Sequence, residues 1–210
     1  MTGPAYKLYG RPGAGSLAPQ ILLEEIGVPY EVFWVGRDPA ELENFRHINP
    51  AGKVPLLVLP DGTTVSESAA ILIHLTHAHQ AAGLAPTAGS SAHARFLQWM
   101  VFLSANVYEA ALRYFYPERY VIAGSSAVAD TKAQALTDYT LHLELIQAAL
   151  SPYVLGPKVS AVDPYLHMLA GWYPGGIVAL SARWPKLAQH AELLRRRPAT
   201  RKAELDHSES

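Results

Sequence analysis

Residues 49–71 read NPAGKVPLLVLPDGTTVSESAAI, and this stretch decides the fold. Two short apolar runs, 56–59 and 63–65, flank Pro60-Asp61-Gly62. That tripeptide is a good turn sequence, so the three segments together predict a β-hairpin. A helix is predicted directly afterwards, over 67–79. We expect the hairpin and the helix to complete a small sheet that starts earlier in the chain.

The chain before the hairpin alternates short apolar runs with amphipathic stretches. Strands are predicted at 6–9 and 30–35, and helices at 16–27 and 39–47. A strand, a helix and a strand in that order form a right-handed parallel crossover. The full order, βαβαββα, is that of thioredoxin-like domains, and we assign such an α/β domain to residues 1–82.

The second part of the chain has a different pattern of apolar residues. After Gly83-Leu84-Ala85-Pro86 no convincing strand follows, and leucine and aromatic stripes predict long helices. We therefore predict an all-α helical-bundle domain over residues 88–210. Its last dozen residues are polar and are expected to fray.

Composition argues against several kinds of partner. Half of the 210 residues are hydrophobic, 17% are charged, and the formal net charge is −1. These values suggest neither nucleic-acid binding nor electrostatic attachment to a membrane. The one basic run, residues 195–197, is interpreted as the cationic end of a last helix. The N-terminus lacks a basic-then-apolar signal segment, so we expect a cytoplasmic protein.

The chain contains no cysteine. Disulfides, thiol nucleophiles and thiolate metal sites are therefore excluded, and any sulfur chemistry must use sulfur from a ligand. The histidines 74, 77 and 79 suggest a metal site at first sight. His74 and His77 share a helix face, but no carboxylate accompanies them. We interpret the group as a solvated helix end and predict no metal.

Three motifs, in order along the chain, resemble those of the cytosolic glutathione transferase family. Residues 11–19, RPGAGSLAP, resemble the first loop of its bacterial beta class. Residues 49–55, with 61–62 and 66–71, resemble its glutathione-site signature, and residues 160–163 resemble its Ser/Thr-x-x-Asp capping box. The resemblance spans nearly the whole chain. It implies a thioredoxin-like half that binds glutathione as co-substrate, a helical half, a homodimer and no metal.

The resemblance implies a backbone binding site at residues 53–55. In the family, the bond that corresponds to Val54–Pro55 is cis. The backbone N–H and C=O of the residue before the proline then pair with the cysteinyl part of glutathione. Lys53, Val54 and Pro55 are therefore predicted to bind glutathione. The alternative is an ordinary trans proline at the start of an edge strand.

A second part of the binding site is predicted where a helix begins at Glu67-Ser68. The free N–H groups and the positive dipole end of a helix N-terminus suit the γ-glutamyl carboxylate. Ser68 would add a hydroxyl donor, and Glu67 would accept from the ligand's ammonium group. The alternative is that Ser66 or Ser68 is only a helix N-cap with an acidic neighbour.

Ser16 is the predicted catalytic residue. Glutathione must react as its thiolate, and a free thiol with a pKa of about 8.5 is mostly protonated at neutral pH. A hydroxyl donor beside the sulfur and the positive end of the following helix would both favour the anion. The alternative is that Ser16 serves only as the N-cap of that helix.

Two departures from the beta class bear on this prediction. Members of the class usually carry a cysteine before the serine, where this chain has Gly15, so serine-assisted transfer is favoured over thiol exchange. Their histidine on the first long C-terminal helix is also absent, and Tyr108 occupies its place. Tyr9 is a further alternative, because several animal classes of the family use an N-terminal tyrosine. It lies inside the predicted strand, however, and is expected in the core. The helix dipole, backbone N–H groups near Gly15, or Tyr108 are the alternatives to Ser16 as partners of the thiolate.

Aromatic residues are frequent in the helical half, and most are expected in its core. Tyr108, Phe115 and Tyr116 are predicted to line an apolar pocket for the second substrate, between the two domains. The predicted function is a glutathione S-transferase that adds the thiolate to an apolar electrophile. Two alternatives are a glutathione-binding regulatory protein without turnover, and a glutathione-dependent isomerase or ether-cleaving enzyme.

Overall fold

The structure is a computed structural model, and it describes residues 5–209. A four-stranded sheet lies in the first part of the chain, with the strand order β2-β1-β3-β4. The strands are β1 Tyr6–Gly10, β2 Tyr30–Trp34, β3 Leu56–Val58 and β4 Thr64–Ser66. β1 pairs in parallel with β2 and antiparallel with β3, and β3 and β4 form the predicted hairpin.

Three helices alternate with these strands: α1 Leu17–Ile26, α2 Pro39–Arg46 and α3 Ser68–Ala78. The element order is βαβαββα, so the predicted thioredoxin-like arrangement is confirmed. Every boundary lies within one residue of its prediction. α1 ends at Gly27, whose φ of 75° lies in the left-handed region that favours glycine.

Alternation along β1 directs its side chains to the two faces of the sheet. Leu8 is fully buried on one face, and burial of a leucine contributes about 1.5–3 kcal/mol. On the other face, the Tyr9 ring packs against Phe33 and Phe45 at centroid distances of 5.1 and 5.6 Å. The predicted core position of Tyr9 is confirmed in part, because its ring packs against the core but is only partly buried. The fully buried large apolar residues of α1 and α3 are Ile21, Leu22, Leu23, Ile71, Leu72 and Leu75.

The second part of the chain is helical. Its helices are α4 Ser91–Phe102, α5 Glu109–Phe115, α6 Val128–Ala149, α7 Val162–Gly171, α8 Gly176–Arg183 and α9 Pro185–Arg195. A π-helical segment, Leu103–Tyr108, joins α4 to α5. The described residues of this part contain no strand, only an isolated bridge between Tyr153 and Gly156, so the predicted all-α character is confirmed. No helix within residues 5–209 is long and apolar enough to cross a membrane.

Asp163, the last residue of the predicted capping box, forms the expected hydrogen bonds with Ser160 at the start of α7. One oxygen of the buried Asp163 carboxylate accepts hydrogen bonds from the Ser160 N–H at 2.7 Å and from its hydroxyl at 2.9 Å. The other oxygen accepts from the Val154 N–H at 2.9 Å and lies 3.0 Å from the His190 Nε2. These contacts stabilise the start of a helix whose side chains are nearly all buried.

Contacts divide the chain into two compact units. One contains the residues up to Ala85 together with those from Leu194 onward, and the other contains Pro86–Leu193. The break at residue 85 falls between the predicted domains 1–82 and 88–210. The C-terminal segment, however, groups with the sheet and not with the helical part, which differs from the predicted range.

The C-terminal segment forms a helix, α10 Pro198–Glu209, so the prediction that it frays is wrong. α10 packs against α1, and its buried residues are Ala199, Thr200 and Ala203. These residues are small, so they allow close packing without the large apolar side chains by which sequence patterns identify a buried helix face.

The basic run 195–197 begins at the last residue of α9 and leads into α10, so it stands at the end of a helix, as predicted, but not of the last helix. Arg197 donates two hydrogen bonds, each 2.6 Å long, to the two carboxylate oxygens of Glu25 on α1. Such a bidentate pair is stronger and more directional than a single ionic contact. It anchors the start of α10 to α1.

Arg197→Ala is expected to lower the free energy of unfolding by about 1–2 kcal/mol, because a mostly buried carboxylate loses both charge-assisted hydrogen bonds. Urea denaturation measures the change. Arg46→Ala is the matched control, because Arg46 pairs with Glu43 at an exposed i,i+3 position that contributes about 0.5 kcal/mol or less. Equal losses in the two variants would contradict the anchoring role of Arg197.

Candidate functional site

The carboxyl ends of the parallel strands β1 and β2 lie at one edge of the sheet. Open α/β sheets bind ligands at such edges. A groove of about 450 Å³ opens there. It is lined by Arg11, Pro12, Trp34, Val35, Gly36, Arg37 and Glu41. The groove therefore carries two cationic side chains beside the segment of residues 11–16, which we call the first loop.

The buried side chain of Ser16 closes the first loop by hydrogen bonds to the backbone of Arg11. Its side chain is fully buried. The Arg11 N–H donates to the Ser16 Oγ at 3.1 Å, and the hydroxyl donates to the Arg11 C=O at 3.2 Å. Gly10 leaves room for this contact, because a Cβ at that position would lie 2.6 Å from the Ser16 Oγ. Ser16 and Gly10 together fix the path of the chain from β1 into α1.

The predicted catalytic role of Ser16 competes with this use of its hydroxyl. The one hydroxyl hydrogen is directed at the Arg11 carbonyl, so donation to a ligand sulfur requires that bond to break. Ser16 occupies the N-cap position of α1, but its side chain makes no capping hydrogen bond. Its catalytic role stays a prediction, and side-chain capping is not the reason for a serine here.

Arg11 joins the first loop to the end of β2. Its Nε donates to the Val35 C=O at 3.0 Å, and a terminal guanidinium nitrogen donates to the Gly36 C=O at 3.1 Å. Sequence analysis included Arg11 only in the loop motif of residues 11–19. No local pattern signals its pairing with carbonyls that lie more than twenty residues away along the chain.

The start of α3 has an unusual backbone conformation. Glu67 has φ 68° and ψ 117°, and within residues 5–209 it is the only non-glycine residue with a positive φ. Such a conformation costs about 1–3 kcal/mol, and residues that adopt it cluster at functional sites. The Ile71 N–H donates to the Glu67 C=O. The N–H groups of residues 68–70 therefore have no partner within the helix.

Ser68 links α3 to the first loop. It is buried, and its hydroxyl donates to the Gly15 C=O at 3.2 Å. The hydroxyl hydrogen is thus used within the protein, while the oxygen can still accept a hydrogen bond. The structure confirms that a helix begins here and brings Ser68 beside the loop that contains Ser16. The binding roles of Glu67 and Ser68 stay predictions.

The segment before β3 is a turn held by Asn49, which sequence analysis quoted in a motif but gave no role. Its buried side-chain amide donates to the Lys53 C=O at 2.7 Å and accepts from the Ala51 N–H at 3.3 Å. The Val54–Pro55 bond is cis, as the resemblance implied, and the trans alternative is wrong. Val54 lies outside the β3 pairing, so its backbone N–H and C=O take no part in the sheet.

Tyr108 is the last residue of the π-helical segment between α4 and α5. Segments of this kind are rare and frequently occur at functional sites. The Tyr108 ring meets the Trp172 ring edge-on, with centroids 5.3 Å apart, and lies 6.5 Å from the Tyr165 ring. Tyr108 therefore belongs to an aromatic group formed by α7 and the π-helical segment.

Phe115 and Tyr116, the other predicted pocket residues, lie at the end of α5. Phe115 is 48% exposed, and its ring meets the Tyr114 ring at 5.1 Å. The Arg119 guanidinium lies 4.0 Å from the centre of the Tyr116 ring in a cation–π contact. These contacts do not by themselves form a pocket, so the site for the second substrate stays a prediction.

The three histidines near the end of α3 do not form a cluster with acidic residues. Within residues 5–209, no three His, Asp or Glu side chains are grouped closely enough to hold a metal ion. The His79 Nε2 lies instead 2.9 Å from the Tyr6 hydroxyl. This contact joins the end of α3 to β1.

Known proteins resemble the chain along most of its length. Residues 16–78 match the family model of the glutathione S-transferase N-terminal domain. The chain is 29% identical to the uncharacterized GST-like protein YncG of Escherichia coli K12, over 80% of this chain and 82% of that protein. It is similar in structure to a glutathione transferase homologue from Sulfitobacter with bound glutathione, with a TM-score of 0.88, 28% identity, and 97% and 98% of the two chains covered. A sphingomonad glutathione S-transferase complexed with glutathione gives a TM-score of 0.82 and 32% identity, with 97% of this chain and 100% of that chain covered.

Ser16→Ala is expected to lower the free energy of unfolding by about 1–3 kcal/mol, because the Arg11 N–H and C=O would both lose their partner. Urea denaturation measures this loss. Ser181→Ala is the matched control, because the exposed Ser181 hydroxyl bonds only to the Ile177 carbonyl of its own helix, and a change within about 0.5 kcal/mol is expected there. A loss no larger than in the control would show that Ser16 does not close the loop.

Proposed function

This chain belongs to the glutathione transferase family, and on that premise we propose that it binds glutathione at the first loop, at residues 53–55 and at the start of α3. The bound thiol releases its proton to solvent water, and the thiolate attacks an electrophilic carbon of an apolar small molecule. A carbon–sulfur bond forms, and the leaving group departs with the electron pair of the bond that breaks. Glutathione is the co-substrate, and the proposal requires no metal.

The backbone of Glu67 is the observation that carries the proposal. A strained residue persists only where the surrounding structure holds it, and here it separates the last residue of β4 from the first residue of α3. The N–H groups of residues 68–70 lack helical partners and suit the γ-glutamyl carboxylate. The exposed Glu67 carboxylate suits the ammonium group of the same glutamyl unit.

The rest of the tripeptide needs different partners. The Val54 N–H and C=O, which the sheet does not use, suit pairing with an extended peptide backbone. The glycyl carboxylate needs a cation, and Lys53 and Arg37 both have exposed side chains. Arg37 also lines the groove at the sheet edge. Sequence analysis missed Arg37 because an exposed arginine in a loop carries no local signal.

Activation of the thiol is assigned to the first loop and α1. The N-terminus of α1 supplies the positive end of a helix dipole, and Ser16 is the residue on which activation is proposed to depend. Direct donation from its hydroxyl requires the bond to the Arg11 carbonyl to break, whereas holding the loop requires no change. If Ser16 donates directly, its loss leaves glutathione affinity unchanged. If Ser16 holds the loop, its loss lowers that affinity.

Tyr108, Phe115 and Tyr116 are the proposed contacts of the apolar acceptor. Their rings offer apolar surface with polar edges, which suits small aromatic electrophiles. The protein is further proposed to act as a homodimer in the cytoplasm. Sedimentation velocity at micromolar concentration tests the dimer, and a monomer would contradict it.

A glutathione-binding protein without turnover is the second candidate function. One observation favours it: the Ser16 hydroxyl hydrogen is already used by the Arg11 carbonyl. A panel of aryl halides, epoxides and unsaturated carbonyl compounds separates the two candidates. Tight glutathione binding without turnover on any of these would support the second candidate, and conjugation of any of them would support the first.

Glu67→Gly is expected to change stability and affinity in opposite directions. Glycine adopts a positive φ without strain, so the free energy of unfolding should rise by about 0.5–2 kcal/mol after the entropic cost of glycine. Loss of the carboxylate should weaken glutathione binding more than about tenfold. Urea denaturation and isothermal titration calorimetry measure the two changes.

Two further variants separate these effects. Glu67→Gln keeps the strained backbone, so it should lose affinity without a gain in stability. Glu31→Gln alters an exposed carboxylate on β2 and should change neither property. Unchanged affinity in both Glu67 variants would remove the start of α3 from the proposed binding site.

Ser16→Ala is expected to lower kcat with a reactive aryl halide by about ten- to hundredfold. The absorbance of the bound thiolate, followed against pH, gives the pKa of the bound thiol. A raised thiol pKa with unchanged glutathione affinity would indicate direct donation to the sulfur. A parallel fall in affinity and kcat would indicate that Ser16 holds the loop. A variant with wild-type rate and affinity would show that neither role is correct.

A further inference from the structure

His207, near the end of α10, contacts two segments that border the proposed site. The Gly13 N–H in the first loop donates to the His207 Nδ1 at 3.3 Å. The His207 ring meets the Trp34 ring edge-on, with centroids 5.0 Å apart. Trp34 and Pro12 both line the groove at the sheet edge. One side chain from the C-terminal helix therefore holds the first loop and packs on the end of β2.

The protonation state of His207 suits this contact. Because Nδ1 accepts a hydrogen bond, the neutral ring carries its proton on Nε2. Burial lowers the pKa of His207 to about 4, against a smaller opposing effect of the Asp206 carboxylate. The ring is thus neutral at pH 7, and Nδ1 keeps the lone pair that the Gly13 N–H requires.

Stability alone does not account for a histidine at this position. The Nε2 atom is buried and has no hydrogen-bond partner among the described residues, and an unpaired buried donor destabilises the folded state. A phenylalanine could pack against Trp34 without that penalty. The contact with the Gly13 N–H is what distinguishes histidine from an apolar ring here.

The position of His207 follows from the way α10 lies on α1. Arg197, just before α10, pairs with Glu25 near the end of α1. Asp206, close to the end of α10, accepts from the Gln20 Nε2 at 2.7 Å, earlier in α1. The two helices therefore run antiparallel, and α10 ends beside the first loop. His207 is the next residue after this series of contacts.

We propose that His207 is a positioning residue for thiol activation: by accepting the Gly13 N–H, it holds the first loop in the conformation in which Ser16 and the start of α1 act. The inference rests on the proposed function. Hydrogen bonds from Arg11 to the Val35 carbonyl and from Ser68 to the Gly15 carbonyl hold the two ends of the first loop. His207 holds its middle. The C-terminal helix thereby influences the site without contacting the substrate.

Two substitutions in the full-length protein separate positioning from packing. His207→Asn keeps an acceptor at the place of Nδ1 but removes the ring. His207→Phe keeps a ring against Trp34 but removes the acceptor. Leu205→Ala is the control, because Leu205 lies on the same helix and is 54% exposed. If His207 positions the loop, the Asn variant keeps wild-type properties and the Phe variant does not.

In the Phe variant, amide hydrogen exchange at Gly13 is expected to become about three- to tenfold faster, the scale of one lost hydrogen bond. Glutathione affinity and the kcat with an aryl halide should fall together by a similar factor, because the first loop belongs to the proposed binding site. The reverse ranking, with the Phe variant normal and the Asn variant impaired, would show that the ring only packs and would overturn the inference. Equal behaviour of all variants would overturn it too.

The exchange measurement requires neither glutathione nor turnover, so the two proposals can fail separately. A wild-type protein that conjugates none of the electrophiles would contradict the proposed transferase activity. The ranking of Gly13 exchange rates in the Asn and Phe variants would still decide whether His207 positions the first loop.

Discussion

The reciprocal hydrogen bonds between Ser16 and the Arg11 backbone are the constraint on which the site depends. They close the first loop on itself, and the small Gly10 allows the buried hydroxyl to reach both the N–H and the C=O of one residue. With the loop closed, the Arg11 side chain reaches the carbonyls beyond β2, and α1 begins from a fixed point. The position of the helix N-terminus, and with it any dipole effect on a bound thiol, follows from this one closure.

Hydrogen bonds to backbone groups connect several parts of the site. Ser68 donates to the Gly15 carbonyl, Asn49 donates to the Lys53 carbonyl, and His207 accepts from the first loop. Each bond joins segments that lie on different elements or on the two sides of a turn. Segments held at several points lose less entropy when a ligand binds, which is the physical meaning of a preorganised site. A chain with 17% charged residues can build such a site without a cluster of charges.

The parts of this structure that could be predicted from sequence depend on local signals. The hairpin follows from the turn chemistry of Pro60-Asp61-Gly62, and the end of α1 follows from Gly27. The docking of α10 could not be predicted, because Arg197 and Glu25 lie 172 residues apart and the buried face between them is made of small residues. For Ser16, a position at the start of a helix was predictable. The partner of its hydroxyl depends on the path of a loop, which the periodicity of apolar residues does not predict. The same limit applies to the backbone of Glu67, since a glutamate in sequence does not indicate a positive φ.

The contact between α1 and α10 combines small buried residues with polar groups, and this has a consequence for the site. Buried side-chain atoms that lack a hydrogen-bond partner within residues 5–209 include Gln20 Oε1, Thr200 Oγ1 and His207 Nε2, all on these two helices. Each such atom costs the docked state about 1–3 kcal/mol. The bidentate pair of Arg197 with Glu25, the hydrogen bond from Gln20 to Asp206 and the buried small residues of α10 act against this cost. Because His207 reaches the first loop only when α10 is docked, the order of that loop depends on the same contacts between α1 and α10.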